Sequence, residues 1–148
     1  MRIALGADHA GVALKHNIRQ LLDERGIAYQ DFGTNSTESV DYPDFAATVA
    51  HEVASGAFDR GILVCGSGIG MAIAANKVAG IRAASVVDED AARLSREHND
   101  ANVLALGERL TPADAARRIV NAFLDTPFAG GRHQRRVDKL RALDVGRA

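Results

Sequence analysis

A chain of 148 residues with 47% hydrophobic and 25% charged residues has the size and composition of one globular domain, residues 1–148, with enough length to bury a real core. A net charge of −1 leaves no basic excess to recruit nucleic acid or an anionic membrane, and no apolar run is long enough for a membrane span. A single cysteine, Cys65, excludes an intrachain disulfide, and with no signal-peptide pattern at the start the chain is expected in a reducing cytoplasm.

Apolar runs alternate with helical patterns from start to finish. A strand is predicted over Arg2–Ala7. The helix after it runs from about Gly11 to Arg25, with Val12, Leu14, Ile18, Leu21 and Leu22 as its buried stripe and Gly26 as its stop. A second strand covers about Ile27–Phe32, and the polar loop 33–42 leads to a helix opening at Pro43, a residue favoured at the first helical position. The third strand, Gly61–Cys65, is a continuous apolar run of the kind buried on both faces. A helix follows from about Gly68 to Val78, ended by Gly80. The fourth strand is Ile81–Val87, the fourth helix runs from Asp88 to about His98, and the fifth strand is Asn102–Leu106. Thr111 followed by Pro112 reads as the cap and first turn of a fifth helix, and a last helix, about Gly131–Leu143, carries a basic cluster.

Strands separated by helices predict an α/β fold: a single-domain three-layer α/β/α sandwich with a five-stranded parallel Rossmann-like sheet and a C-terminal helix. Ligands in such folds sit at the carboxyl ends of the strands. Those ends are Asp8-His9, Gly33-Thr34, Cys65-Gly66-Ser67, Asp88 and Gly107-Glu108-Arg109.

The segment Cys65-Gly66-Ser67-Gly68-Ile69-Gly70 places a thiol at a strand tip, before alternating glycines that open a helix. Glycines let backbone N–H groups approach a ligand, and the helix start adds partial positive charge. Both effects stabilise an oxyanion, and a thiolate there can act as a general base. The plainer alternative is an inert buried thiol beside a tight turn. Asp8 and His9 can bind hydroxyls and shuttle protons, or Asp8 can simply cap the first helix. His98, on spacing alone, reads as a favourable cation at a helix C-terminus. Arg132 and Arg136, four apart on one helix face, suit a phosphate clamp, but in isolation the reading favoured is a solvated basic face, as Arg135, Lys139 and Arg141 nearby suggest. His16, His51 and His133 carry no such signal.

The ordered blocks 6–11, 41–43, 65–70, 74–77, 79–82, 98–104 and 130–137 together resemble the ribose-5-phosphate isomerase B family, whose members also include galactose- and allose-6-phosphate isomerases. The resemblance covers nearly the whole chain and implies an aldose–ketose isomerase that uses no metal or other cofactor. It implies Cys65 as the base moving a proton between C1 and C2, and His98 as the residue assisting ring opening. The backbone of Gly66, Ser67, Gly68, Ile69 and Gly70 matches the anion hole for an enediolate, with the Ser67 hydroxyl available for proton shuttling where many relatives carry Thr. Asp8, His9, Asn99 and Arg109 match substrate-binding positions, Tyr42 is a further lining residue, and Arg132 and Arg136 match phosphate-contacting arginines. The partner implied is a small-molecule sugar phosphate, and the assembly a homodimer, or a tetramer of paired dimers, with active sites shared between subunits.

Two other readings compete. A dinucleotide-binding module would need a third glycine where Met71 stands, and its loop would follow the first strand rather than the third. A non-catalytic sugar-phosphate sensor would lack part of the set that is complete here. Within the enzymatic reading, six-carbon and four-carbon sugar phosphates stand as alternatives to ribose 5-phosphate.

Overall fold

The computed structural model describes residues 1–144; the final four residues of the predicted domain 1–148 lie outside the described residues. Five strands, β1 (Arg2–Ala7), β2 (Ala28–Asp31), β3 (Arg60–Cys65), β4 (Ala83–Ser85) and β5 (Val103–Gly107), form one parallel sheet in the order β2-β1-β3-β5-β4. The helices are α1 (Val12–Glu24), α2 (Tyr42–Ala54), α3 (Ile69–Ala75), α4 (Glu89–Asn99), α5 (Ala113–Asp125) and α6 (Arg132–Ala142). No described helix is long and apolar enough to cross a membrane.

The layers follow from the period-two geometry of the strands. Ile3 and Leu5 of β1, Ile62 and Val64 of β3, and Leu104 and Leu106 of β5 join the core shared with α1, α4 and α5. Their neighbours Ala4, Leu63, Cys65, Val103 and Ala105 join the core on the opposite face, under α2 and α3. Both faces are covered, which is why the central strands read as unbroken apolar runs rather than alternating ones. The chain leaves β1 toward the α1 layer and leaves β3 toward the α3 layer. Between these adjacent strands the loops diverge and open a crevice at their carboxyl ends, the topological switch point of the sheet.

Several boundaries differ from the sequence reading, α3 among them, which ends at Ala75 rather than Val78, and three differences are instructive. The second helix begins at Tyr42, so Pro43 is its second residue. The fourth strand is confined to Ala83–Ser85 because the N–H of Arg82 is taken by Asn102 Oδ1 at 2.8 Å, and Ile81 closes the turn after α3 through a bond to Val78. Thr111 does not cap α5: Pro112 occupies the cap position, and Thr111 Oγ1 is buried with no partner among the described residues.

At the sheet's outer edge the Asn76 side chain donates to the Ala83 carbonyl (3.0 Å) and accepts from the Ala83 N–H (2.8 Å). The turn entering β5 is likewise built by side chains. Arg82 Nε donates to the Asp100 carbonyl at 2.9 Å, and Asp100, at φ 47°, binds Arg96 through its carboxylate at 2.9 Å. Several residues of the matched blocks 74–77, 79–82 and 98–104 therefore shape turns.

Candidate active site

The site grows outward from the tip of β3. After Cys65 the chain turns through Gly66, Ser67 and Gly68, and α3 starts at once. Gly68 sits at φ 78°, a left-handed conformation that costs an L side chain roughly 1–2 kcal/mol. That turn aims the Gly68 N–H at Cys65, whose Sγ accepts it at 3.1 Å. The Ser67 hydroxyl accepts from the Ile69 N–H at 3.2 Å, so its oxygen stands at the opening of α3.

The tip of β5 is tied to this turn. Glu108 N–H donates to the Cys65 carbonyl (2.9 Å) and Arg109 N–H to the Gly66 carbonyl (3.0 Å). The Arg109 guanidinium consequently lies over Gly66, where a Cβ would stand 3.2 Å from its Cζ. The Arg109 side chain has no hydrogen-bond or ion-pair partner among the described residues, which leaves its guanidinium donors available to an anion in the cavity it lines. The Glu108 carboxylate accepts the Leu14 N–H at 2.7 Å, tying the first turn of α1 to the same cluster.

The tip of β1 supplies the opposite wall. Asp8 is buried at 6% exposure, and its carboxylate accepts the Ala10 N–H at 2.9 Å. It therefore caps the short 3-10 turn His9–Gly11, just ahead of α1, and lines the cavity at the same time. His9 Nδ1 accepts the Val40 N–H at 3.1 Å; in the neutral ring the hydrogen then sits on Nε2. Loop 33–42 is thereby fastened to the site. Its other end is held by the buried Lys15, whose ammonium reaches Asp31 (2.8 Å), Asn35 Oδ1 (2.9 Å) and the Thr34 carbonyl. Removing one partner of such a buried pair costs about 3–5 kcal/mol. Tyr42, where the loop enters α2, lays its ring across Gly70, leaving no room for a Cβ, which would stand 2.6 Å from the ring.

These walls enclose a cavity of about 570 Å³ lined by Asp8, His9, Tyr42, Cys65, Gly66, Ser67, Ile69, Gly70 and Arg109, with Ile73 and Leu110 at its rim. Gly68 is buried behind the turn. Asp88, the acidic residue a dinucleotide site would use, is spent capping α4 by accepting the Ala91 N–H at 2.7 Å.

The remaining predicted residues are elsewhere. α4 leaves the carboxyl end of β4 and runs back to the start of β5, so His98 and Asn99 lie at the amino-terminal edge of the sheet. Cys65 pairs with Gly107 at the far end of β5. The length of that strand alone separates the two edges by about 13 Å at roughly 3.3 Å per residue. α6 begins beside the end of α4, where Ala129 N–H donates to the Glu97 carbonyl at 3.1 Å. The ring of His98 stacks on that of His133, with centroids 4.3 Å apart and planes 17° from parallel. Burial holds His133 below the ordinary imidazole range, reinforced by the charges of His98, Arg132 and Arg136 and opposed by Glu97. Arg132 and Arg136 are exposed on the first turns of α6 and have no hydrogen-bond or ion-pair partner among the described residues. Asn99 lines a separate cavity of about 360 Å³ with Arg82, Leu140 and Arg141. Sequence reasoning passed over His133, Lys15 and Glu108, because the signal for each lies in a tertiary neighbour.

A thiol, a carboxylate, an imidazole and an unpartnered guanidinium around a switch-point cavity define a doubly wound α/β protein with a site for a small anionic molecule. The Ribose/Galactose Isomerase family profile matches residues 3–140. The chain is 50% identical to ribose-5-phosphate isomerase B of Escherichia coli (strain K12), over 99% of this chain and 98% of that protein. It is 44% identical to D-erythrulose-4-phosphate isomerase of Pectobacterium atrosepticum, over 95% and 93%. The structure of Clostridium thermocellum ribose-5-phosphate isomerase B superposes with a TM-score of 0.96 at 53% identity, covering 97% of each chain. The chain belongs to this family, that of the B-type ribose-5-phosphate isomerases, and is an aldose–ketose isomerase.

Proposed function

We propose that the chain interconverts ribose 5-phosphate and ribulose 5-phosphate through an enediolate, in the cytoplasm, as a homodimer whose sites each draw on both protomers. The observation that carries this reading is the Cys65 thiol held by the Gly68 N–H inside a cavity that also presents Asp8, His9 and Arg109. The Cys65 thiolate takes the proton from C2 of the open-chain aldose. The C2–H electrons become the C1–C2 double bond of the enediolate, and the charge rests on O1. Reprotonation at C1, with transfer of the O2 proton, leaves the ketose. No electron enters or leaves the substrate, so the reaction calls for no redox cofactor. The N–H groups of the first turn of α3 beyond Ile69, which no helix carbonyl takes up, hold the enediolate oxygens. Ser67 and Asp8 flank the oxygens between which the proton moves, and His98 opens the furanose ring.

The shared site is supported by the split geometry. His98, Asn99, Arg132 and Arg136 match the same family site as Cys65, yet they lie at the opposite edge of the sheet in one chain. A two-fold partner brings the edges together without moving either. The rim of the Cys65 cavity is also apolar and open, with Tyr42 40%, Ile69 55%, Ile73 59% and Leu110 54% exposed, a patch suited to burial by a second copy. Arg132 and Arg136 would then bind the substrate phosphate jointly with Arg109.

The test is a kinetic comparison over ribose 5-phosphate, allose 6-phosphate, galactose 6-phosphate and erythrose 4-phosphate. The highest kcat/KM is expected for ribose 5-phosphate. A second reading, a four-carbon substrate, is favoured by the likeness to D-erythrulose-4-phosphate isomerase, and a preference for erythrose 4-phosphate would establish it instead.

A further inference from the structure

The one aromatic stack among the described histidines pairs His98 with a residue to which no role has been given so far. His133 is buried at 9% exposure in the first turn of α6, and its ring lies nearly parallel to that of His98 at 4.3 Å. The two helices meet here through few other ties: the Ala129–Glu97 backbone bond at 3.1 Å lies one residue from His98 on α4. The His98 ring forms no hydrogen bond to another described residue. An imidazole that must hand a proton to a ring oxygen needs a defined orientation, since a misplacement of about 1 Å can cost 10²-fold.

We propose that His133 is a positioning residue for the known reaction: its buried ring is the plate that sets the orientation of the His98 imidazole for opening the sugar ring. This rests on the reading of His98 as the ring-opening residue. A flat, buried partner removes the rotational freedom of the His98 side chain without occupying either of its nitrogens, so both stay free for substrate and solvent. A hydrogen-bonding partner in the same place would consume one of them. Burial, with the nearby charges of His98, Arg132 and Arg136 and against that of Glu97, disfavours the cationic form of the His133 ring, so it serves as a flat surface rather than as a second proton donor.

Two substrates separate this role from a structural one. Ribose 5-phosphate closes to a furanose through O4 and must be opened. Erythrose 4-phosphate carries its phosphate on O4, cannot close to a furanose and needs no ring opening. His133→Leu fills the volume but offers no flat face, and is expected to lower kcat/KM about tenfold with ribose 5-phosphate, by the same factor in the reverse direction as the fixed equilibrium constant requires, and less than twofold with erythrose 4-phosphate. His133→Phe restores the face without a titrating group and is expected to stay within about twofold of wild type with both substrates. If Leu and Phe behave alike, or if both substrates lose activity equally, the positioning role is overturned. His98→Asn, measured beside them, tests the underlying reading. Equal loss with both substrates for that variant removes ring opening from His98, whereas a loss confined to ribose 5-phosphate for His98→Asn with none for His133→Leu overturns the role of His133 alone.

Discussion

The strand-tip pocket around Cys65 and the helix-end face around His98 are built by opposite means. At the pocket, the tips of β3 and β5 are cross-tied by backbone bonds of 2.9 and 3.0 Å, and Glu108 fastens α1 to the same knot. At the face, a ring stack joins α4 to α6, a backbone bond from Ala129 ties the segment before α6 to Glu97, and the two arginines are exposed. On the proposed function the difference is one of task. A group that meets a reacting carbon must be fixed by the sheet before substrate arrives. Groups that grasp a phosphate tolerate freedom and can be fixed by the ligand or by a second protomer.

The sharpest attack on this division is Cys65→Ala. Loss of the base is expected to reduce kcat by 10²–10⁴-fold in both directions, with an unfolding midpoint close to wild type. A variant retaining more than about a tenth of the activity would remove chemistry from the pocket side altogether. The next test asks whether the two regions meet across a dimer. Mixing Cys65→Ala with His98→Asn under subunit exchange should restore activity to about a quarter of wild type, since half the dimers are mixed and one of their two sites is intact. No recovery, with exchange verified by mass spectrometry, would place both groups in one chain's site. Arg136→Ala should then raise KM by about 10–100-fold with a smaller effect on kcat, matching the 1.5–3 kcal/mol of a charge-assisted bond. An equal loss for an unphosphorylated sugar would assign Arg136 a role in folding rather than phosphate binding. Gly70→Ala is the mildest probe. Its Cβ would stand 2.6 Å from the Tyr42 ring, so the ring must swing aside, and a rise in KM of about threefold is expected with the Cys65 chemistry preserved. A loss in kcat as large as that of Cys65→Ala would mean that Tyr42 and α3 position the base itself.

Much of the pocket was legible because its logic is local. A strand end, a cysteine and alternating glycines stand next to one another in the chain, and listing strand ends located Asp8, His9, Cys65 and Arg109 before any coordinates. The family resemblance then supplied His98, Asn99, Arg132 and Arg136, whose spacing alone favoured bland explanations. What stayed hidden depends on distant neighbours. Lys15 sits between Leu14 and Ile18 on a buried stripe, and its partners come from 31–35, beyond any helical repeat. His133 needs the docking of α6 on α4 before its ring means anything. The predicted fourth strand is longer than the observed one because an apolar run records burial: Ile81 is buried yet belongs to a turn with Val78, and buried Val86 reaches β5 only through one long bond of 3.4 Å to Ala105 past the end of the strand. Thr111 followed by Pro112 satisfied the local rule for a cap, yet the chain took Pro112 as the cap and left the hydroxyl inside.

The Asn76 amide has a consequence of another kind. β4 ends the sheet, and an open sheet end is a template on which another chain can lay its own backbone. By taking both the N–H and the carbonyl of Ala83 into its side chain, Asn76 acts as the start of a strand that never continues. The matched block 74–77 thus includes a residue that occupies, at Ala83, the backbone groups through which another chain would begin to extend the sheet.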